Sequence, residues 1–508
     1  MKNKILFIVF VCFGLFPSCS ESFLELSNPN EQTTGDYWKT QEELQKGIDA
    51  CYRALRFNGE YSRWLHILYV ARSDEGYSHS PNAYFQAYSN FKIGSYNDDS
   101  AEAVFYTWLD NYKGIFWANQ VLDNAPNIQM DETLRDRIMG EAYFLRGLQY
   151  FNLAGVFGRG PITLTSYARE DAPVIGEQED LYNQALKDFK DARDRLPEKY
   201  SNSSDLGRAT KGSALGMMVK VLMQQHNWAE AEAMCREIFN LKIYKLVDNY
   251  TDNFTAINEN NSESLFEVQY AYGIQAGNEL GCNRAKFMGL PVDGCSWDDS
   301  TPRTALKGDF EQEKTTDGKV DPRLKATLAF YDASTPDEKF YGKTWTQWGL
   351  DQNNIYWRKY TNWDTQTYED YNSGINFRVV RLADIYLLYA EALNELNRTS
   401  EAYDYINKVR NRVGLCNLEN SKVFTGIGND KEKMREQIMH ERMTELCGES
   451  WRWLDLERWG YFESAEKIAY LKSRDDDFSN FKIGVHNRFP IPYREIPLVE
   501  GLTQNPGY

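Results

Sequence analysis

Residues 381–396 read RLADIYLLYAEALNEL, and residues 400–415 read SEAYDYINKVRNRVGL. Both carry apolar residues at helical spacing, and the short break between them makes an antiparallel pair. The unit from Arg381 to Gly414 spans 34 residues, the tetratricopeptide period. Small alanines set among bulky aromatics are what stacked helix pairs need, and such stacks expose extended concave surfaces. These two lines predict a mostly α-helical chain built on a degenerate tetratricopeptide-like scaffold.

The pattern recurs upstream. Thr40 and Glu43 have capping-box spacing, and Leu44, Ile48, Cys51, Tyr52 and Leu55 keep one apolar face. A second helix is predicted from about Ser100 to Asn124, with Val104, Trp108, Tyr112, Ile115, Asn119 and Leu122 in register. A third follows Asp131 and stops at the glycine cluster of residues 155–161, GVFGRGP. That cluster follows a helix rather than a strand, so it is not a dinucleotide or phosphate loop. Further helices are marked by Tyr182, Ala185, Phe189, Ala192 and Leu196, and by residues 208–226, where Gly212, Ala214 and Gly216 keep a packing face small. Asn227 then caps a helix beginning at Trp228.

Residues 241–380 differ. They are rich in Gly, Asn, Asp, Trp and Tyr, and only Phe266, Val268 and Tyr270 alternate as a strand would. Their aromatic load argues against disorder. The predicted organisation is a helical part over 36–240, an irregular loop-rich ligand-binding part with few short strands over 241–380, and a closing helical part over 381–508.

Lys2 and Lys4 precede an apolar run of 12 residues, Ile5 to Phe16, and then Pro17-Ser18-Cys19. The run is too short to span a bilayer, so residues 1–18 read as an export signal. Cys19 follows a small residue and resembles the bacterial lipoprotein processing site, with 19–35 as a tether. Several acyl chains on Cys19 would anchor the protein stably. Losing Lys2 and Lys4 takes the formal charge from −17 to −19, which argues against nucleic acid and anionic membrane surfaces as partners. Cys51, Cys235 and Cys447 fall in helical patterns and read as small buried apolar residues. Cys282 and Cys295 flank a Gly-containing loop and are a candidate disulfide, which export permits.

Several segments together resemble the SusD/RagB family of outer-membrane nutrient-binding lipoproteins. They are DYWKTQEELQKGIDACY (36–52), EAYFLRGLQYFNLAGVFGRGP (141–161), STPRTALKGDFEQE (300–313) and DPRL (321–324). The series continues through 381–396 and INKVRNRVGL (406–415) to ERMTELCGESWRWLDLERWG (441–460), and ends in RFPIPYREIPLVEGLTQNPGY (488–508). Ser450 stands where Gly is usual. The resemblance implies a tetratricopeptide-like scaffold with a loop-rich remainder, no catalysis and no cofactor. It also implies capture of oligosaccharides at the cell exterior, with delivery to a TonB-dependent transporter barrel in the outer membrane.

Pyranose rings have apolar C–H faces and a rim of hydroxyls, so flat aromatic side chains and nearby Asn, Asp or Arg suit them. With 13 Trp, 33 Tyr and 27 Phe the chain has ample material. One candidate platform precedes the Ser100 helix and includes Tyr77, Tyr84, Tyr88 and Asn97. A second, before residues 300–313, includes Phe287 and Trp297, and the cluster Trp345, Trp348 and Trp357 lies nearby in sequence. Core packing is the competing explanation for any one of these rings.

Catalytic signatures are sparse. None of the five histidines has metal-ligand spacing, and no GxSxG or P-loop occurs. The pairs Asp98–Asp99 and Asp298–Asp299 are adjacent in sequence, which does not place two carboxylates across a scissile bond as a glycoside hydrolase requires. Acidic loops near Asp293 and Asp317 are candidates for Ca²⁺, though neither fits an EF-hand. His440 reads as a surface or capping residue. A capture protein for a non-sugar nutrient and a protein-binding scaffold are the other function classes; the Trp- and Tyr-rich loops separate capture from scaffold.

Overall fold

The computed structural model describes residues 37–78, 80, 83–92, 102–167, 171–275 and 278–508. The export signal, Cys19, the tether and Asn97 lie outside them. Helix α1 (Gln41–Ala54) starts at Thr40, whose hydroxyl accepts from the Glu43 N–H at 3.3 Å while Glu43 accepts from the Thr40 N–H at 2.8 Å. The capping box satisfies two amides at the open helix end. Thr40→Ala is expected to cost about 1 kcal/mol, seen as a lower urea midpoint; an unchanged midpoint would count against the cap's contribution.

After α2 (Trp64–Val70) come α3 (Glu102–Asn124) and α4 (Glu132–Val156), the latter capped by Asp131 through the Leu134 N–H at 2.8 Å. Helix α4 stops at Gly158, whose φ of +67° is left-handed. There follow α5 (Gln178–Arg195), α6 (Lys211–Gln224), α7 (Trp228–Leu241), α8 (Leu382–Glu395), α9 (Thr399–Arg412), α10 (Lys431–Leu446), α11 (Arg452–Arg458) and α12 (Ala465–Arg474). From α3 to α9 each of these helices packs on the one before it, and α8 also meets α10. Because α7 packs directly on α8, residues 242–381 leave the stack and return to it. The small face of α6 is required: a Cβ on Gly216 would lie 2.9 Å from Val380 Cγ1.

Strands β1 (Ser264–Val268) and β2 (Phe377–Arg381) form an antiparallel ribbon near the two ends of this excursion, with Phe377 opposite Val268 and Arg381 opposite Ser264. The expected alternation of β1 is not observed, since Leu265, Phe266, Glu267 and Val268 are all buried. Both faces are covered. Leu265 lies against α6, Phe266 meets Phe144 of α4 edge-on at 4.7 Å, and Glu267 is paired with buried Arg378 at 3.2 Å.

Buried charge joins the loop-rich region to the last helices. Arg381 bonds Glu263 at 2.8 Å, Glu445 at 2.5 Å and Glu449 at 2.8 Å. Arg323 bonds Asp321 at 2.6 Å and Glu445 at 3.3 Å. Arg442 bonds Asp384 and Asp455, each at 2.8 Å. All of these side chains are buried. The segments 321–324 and 441–460 that carry the family resemblance are therefore clamps of the fold. Ser450 adopts a φ of +70°, a conformation that favours glycine, and its hydroxyl meets His66 Nδ1 at 2.9 Å.

Two expectations are corrected. Cys282 and Cys295 are both free. The Cys282 thiol donates toward the Ser62 carbonyl at 3.6 Å and the Cys295 thiol toward the Thr367 carbonyl at 3.5 Å, so packing directs them to different segments. His440 neither caps a helix nor stands on the open surface. It is half-buried within α10 against Phe424, with ring centroids 4.7 Å apart. Cys51, Cys235 and Cys447 are buried as expected. No helix among the described residues is long and apolar enough to cross a membrane.

Candidate ligand-binding site

The loop after the short helix Arg284–Met288 doubles back on it. The Trp297 N–H donates to the Lys286 carbonyl at 2.9 Å, and the Asp299 N–H to the Phe287 carbonyl at 2.8 Å. Lys286 Nζ fastens the loop by donating to the carbonyls of Gly294 at 2.6 Å and Glu369 at 3.0 Å. This return sets Trp297 against Phe287 at 6.1 Å, and Tyr371 packs on the same phenyl at 5.6 Å. Phe287 is 4% exposed, whereas Trp297 is 56% and Tyr371 41% exposed. The result is a ledge of two open rings on a buried aromatic bed.

The scaffold supports that bed. The Arg63 guanidinium, just before α2, lies 3.4 Å from the Trp64 ring centroid and 3.2 Å from that of Phe287, and donates to Asp299 at 3.2 Å. A cation between two aromatic faces is favourable once desolvated. Beside the ledge, Gly76–Tyr77 pairs with Thr301–Pro302, so the two predicted platforms are joined by a short ribbon. Tyr77 is half-buried, with the Arg303 guanidinium 4.4 Å from its ring centre. Asp298 follows Trp297 in a left-handed conformation and accepts from the Thr301 hydroxyl at 2.7 Å. Burial pushes its carboxyl up to about 7, with the Asp299 charge adding to the effect. It is thus poised to accept or donate at neutral pH.

The other candidates separate from this ledge by burial. Tyr88, Trp345 and Trp357 are 1%, 2% and 1% exposed, so their faces belong to the core and not to a ligand surface. Phe287 is likewise bed rather than contact. Trp345 packs with Leu290, Val292 and Cys295 and props the ledge loop from beneath. Trp357 fills space beside Gly448, whose glycine leaves room for the indole. Trp348 is half-buried, donates to the Phe340 carbonyl at 2.7 Å and has Lys343 Nζ 4.0 Å from its ring centre, which covers a face a sugar would need. The side chain of Tyr84 lies outside the described residues. Asp293 and Asp317 each pair with a lysine, Lys343 at 3.5 Å and Lys319 at 2.6 Å. Sequence reasoning missed Tyr371 and Arg63. Tyr371 had only its place in a Tyr- and Asp-rich stretch as a signal, and Arg63 had none.

A model of the SusD family matches residues 245–508, just over half the chain, and a second, described as starch-binding associating with outer membrane, matches residues 22–223. SusD-like protein P25 of Formosa agariphila is 28% identical, with 100% of this chain and 99% of that protein covered. The crystal structure of a SusD superfamily protein from Bacteroides vulgatus has a TM-score of 0.80 to this fold at 26% identity, covering 93% of this chain and 100% of that one. A laminarin binding SusD-like protein has a TM-score of 0.72 at 27% identity, covering 92% and 100%. With its helical stack, its inserted loop region and this match over both halves, the chain belongs to the SusD family.

Proposed function

We propose that this protein captures glycans at the outer-membrane surface without altering them, and that Trp297 and Tyr371 are its contacts with the sugar. The observation that carries the reading is the ledge itself: two exposed rings held by a buried bed that Arg63 and Asp299 brace. Trp297 and Tyr371 meet pyranose C–H faces, and Asp298 bonds the hydroxyl rim. The laminarin binding relative makes a glucan the first ligand to try. The outer-membrane wording of the second family description, together with Lys2, Lys4 and Cys19, supports a lipid anchor, with delivery to a TonB-dependent transporter as the family role. Cofactors, Ca²⁺ included, have no part in this mechanism.

The test is binding of glycans to residues 20–508. Trp297→Ala is expected to weaken the ledge's affinity roughly tenfold or more, the scale of one lost stacking platform, with an unchanged melting midpoint because the ring is exposed. Equal affinity in the variant would remove Trp297 from the site. Silence across a broad glycan panel, with the transporter still co-purifying, would favour a non-sugar nutrient. Release of reducing sugar would overturn the non-catalytic reading.

A further inference from the structure

A cleft of about 770 Å³ opens between α10 and α12, also lined by Asp309, Gln312 and the segment around Phe424, and it shares no residue with the Trp297 ledge. Its size is that of a small-ligand site. On α12, Tyr470 is 49% exposed and stands edge-to-face with Tyr461 at 6.1 Å. On α10, His440 lies against Phe424 and lines the cleft. Neither ring nitrogen of His440 bonds any described residue. Burial lowers its proton affinity, and its ring nitrogens are not among the buried, unpartnered polar atoms, so they face the cleft's solvent and offer a donor and an acceptor there. A hydroxyl, itself donor and acceptor, is the complement of such a ring.

Four cations line the cleft, Lys433, Arg452, Lys467 and Arg474, against three anions, Asp309, Glu436 and Glu466, and Asp74 behind the wall brings the count level. Arg474 bonds Asp309 at 2.6 Å, and Arg452 bonds Asp74 beneath the wall at 2.7 Å. Lys433 Nζ donates to the Gly426 carbonyl at 3.0 Å and Lys467 Nζ to the Trp459 carbonyl at 2.5 Å, and Glu436 and Glu466 equal them in number. No net field selects an ion. An exposed Tyr470 ring, the half-buried Phe424 and His440 rings and a near-balanced charge describe a site for an uncharged polyol with apolar faces.

We infer that this cleft is a second binding site for a neutral oligosaccharide, with Tyr470 and Phe424 meeting sugar faces and His440 bonding a hydroxyl. This rests on the reading of the chain as a glycan-binding protein. Two sites on one rigid chain would strengthen its hold on a long polymer through effective concentration.

Calorimetric titration of residues 20–508 with hexasaccharides of β-1,3-, α-1,4- and β-1,4-linked glucose tests it. The unaltered protein is expected to take up two equivalents of one of these probes, and Trp297→Ala to keep one. Adding Tyr470→Ala, or His440→Phe, which keeps a ring against Phe424, should weaken that remaining site about tenfold or more. Tyr470 is exposed enough that its truncation leaves the fold intact, and the melting midpoint verifies this. One equivalent, lost in Trp297→Ala and untouched by Tyr470→Ala and His440→Phe, would overturn the cleft while leaving the ledge standing. Tighter binding of an oligogalacturonate through Tyr470 would overturn the neutral ligand class. No heat with these probes or with any member of the broad glycan panel would overturn the glycan reading and the second site together.

Discussion

Arg381→Ala is expected to destabilise the protein by about 3–5 kcal/mol, enough to leave much of it unfolded or degraded on expression. Arg381 is 1% exposed and bonds three carboxylates: Glu263 just before β1, Glu445 in the last turn of α10 and Glu449 in the loop that follows it. Removing it leaves buried negative charges facing one another with part of their compensation gone. Arg412 and Arg323 still reach Glu445, and Lys359 still reaches Glu449 at 3.1 Å, which keeps the cost below total collapse. A double variant with Glu445→Ala should therefore lose less than the two single losses added together, because each removal relieves the charge stranded by the other. Urea unfolding of the three variants measures this. Strict additivity, or a loss under about 1 kcal/mol for Arg381→Ala, would show that the network is not what joins these segments.

Acid should produce the second large effect. Burial alone would raise the Asp455 carboxyl, but Arg442 and Arg458 outweigh it and hold it at about 2, below its ordinary 3.8. Glu445, Glu449 and Asp384 are likewise held below their ordinary values, burial being overcome by Arg412 and Arg381 for the first, Arg381 and Lys359 for the second, and Lys220 and Arg442 for the third. A carboxyl depressed in the folded state stabilises it above the unfolded value and loses that contribution as pH falls through the folded value. Asp455 alone accounts for about 2 kcal/mol, lost between about pH 4 and pH 2. Glu75 acts in the opposite sense: burial raises it to about 8, so its cost grows from about pH 4.5 upward to pH 8. Stability should peak near pH 5, fall below pH 4 as Asp455 and its neighbours take up protons, and fall again toward pH 8 as Glu75 ionises, with Asp298 acting in the same sense as Glu75. A urea midpoint at pH 3 equal to that at pH 5 would contradict this.

What was readable from residue order follows the range of the physics. The Thr40–Glu43 box, the Asp131 and Asn227 caps and the helix stop at Gly158 involve residues a few positions apart, and all are present. A strand was legible at Phe266, Val268 and Tyr270 and one runs over 264–268, yet the alternation misled, because both of its faces meet distant partners, Phe144 among them. Candidate aromatics divided in a way that spacing could not reveal. Trp297 and Trp357 are the same residue type in the same loop-rich region, and one is 56% exposed while the other is 1% exposed. Glycine at position 448, far along the chain, makes room for the second.

From residue order alone come the helical scaffold, the caps and breaks, the irregular character of residues 241–380 and the family resemblance, since each is carried by periodicity, composition or short stretches of neighbouring residues. Tertiary structure alone decided the ledge. Arg63 and Asp299 are 236 residues apart in sequence and meet at 3.2 Å. Whether a ring becomes core or contact surface is set by which remote side chains cover it, and that covering is a property of the packed whole.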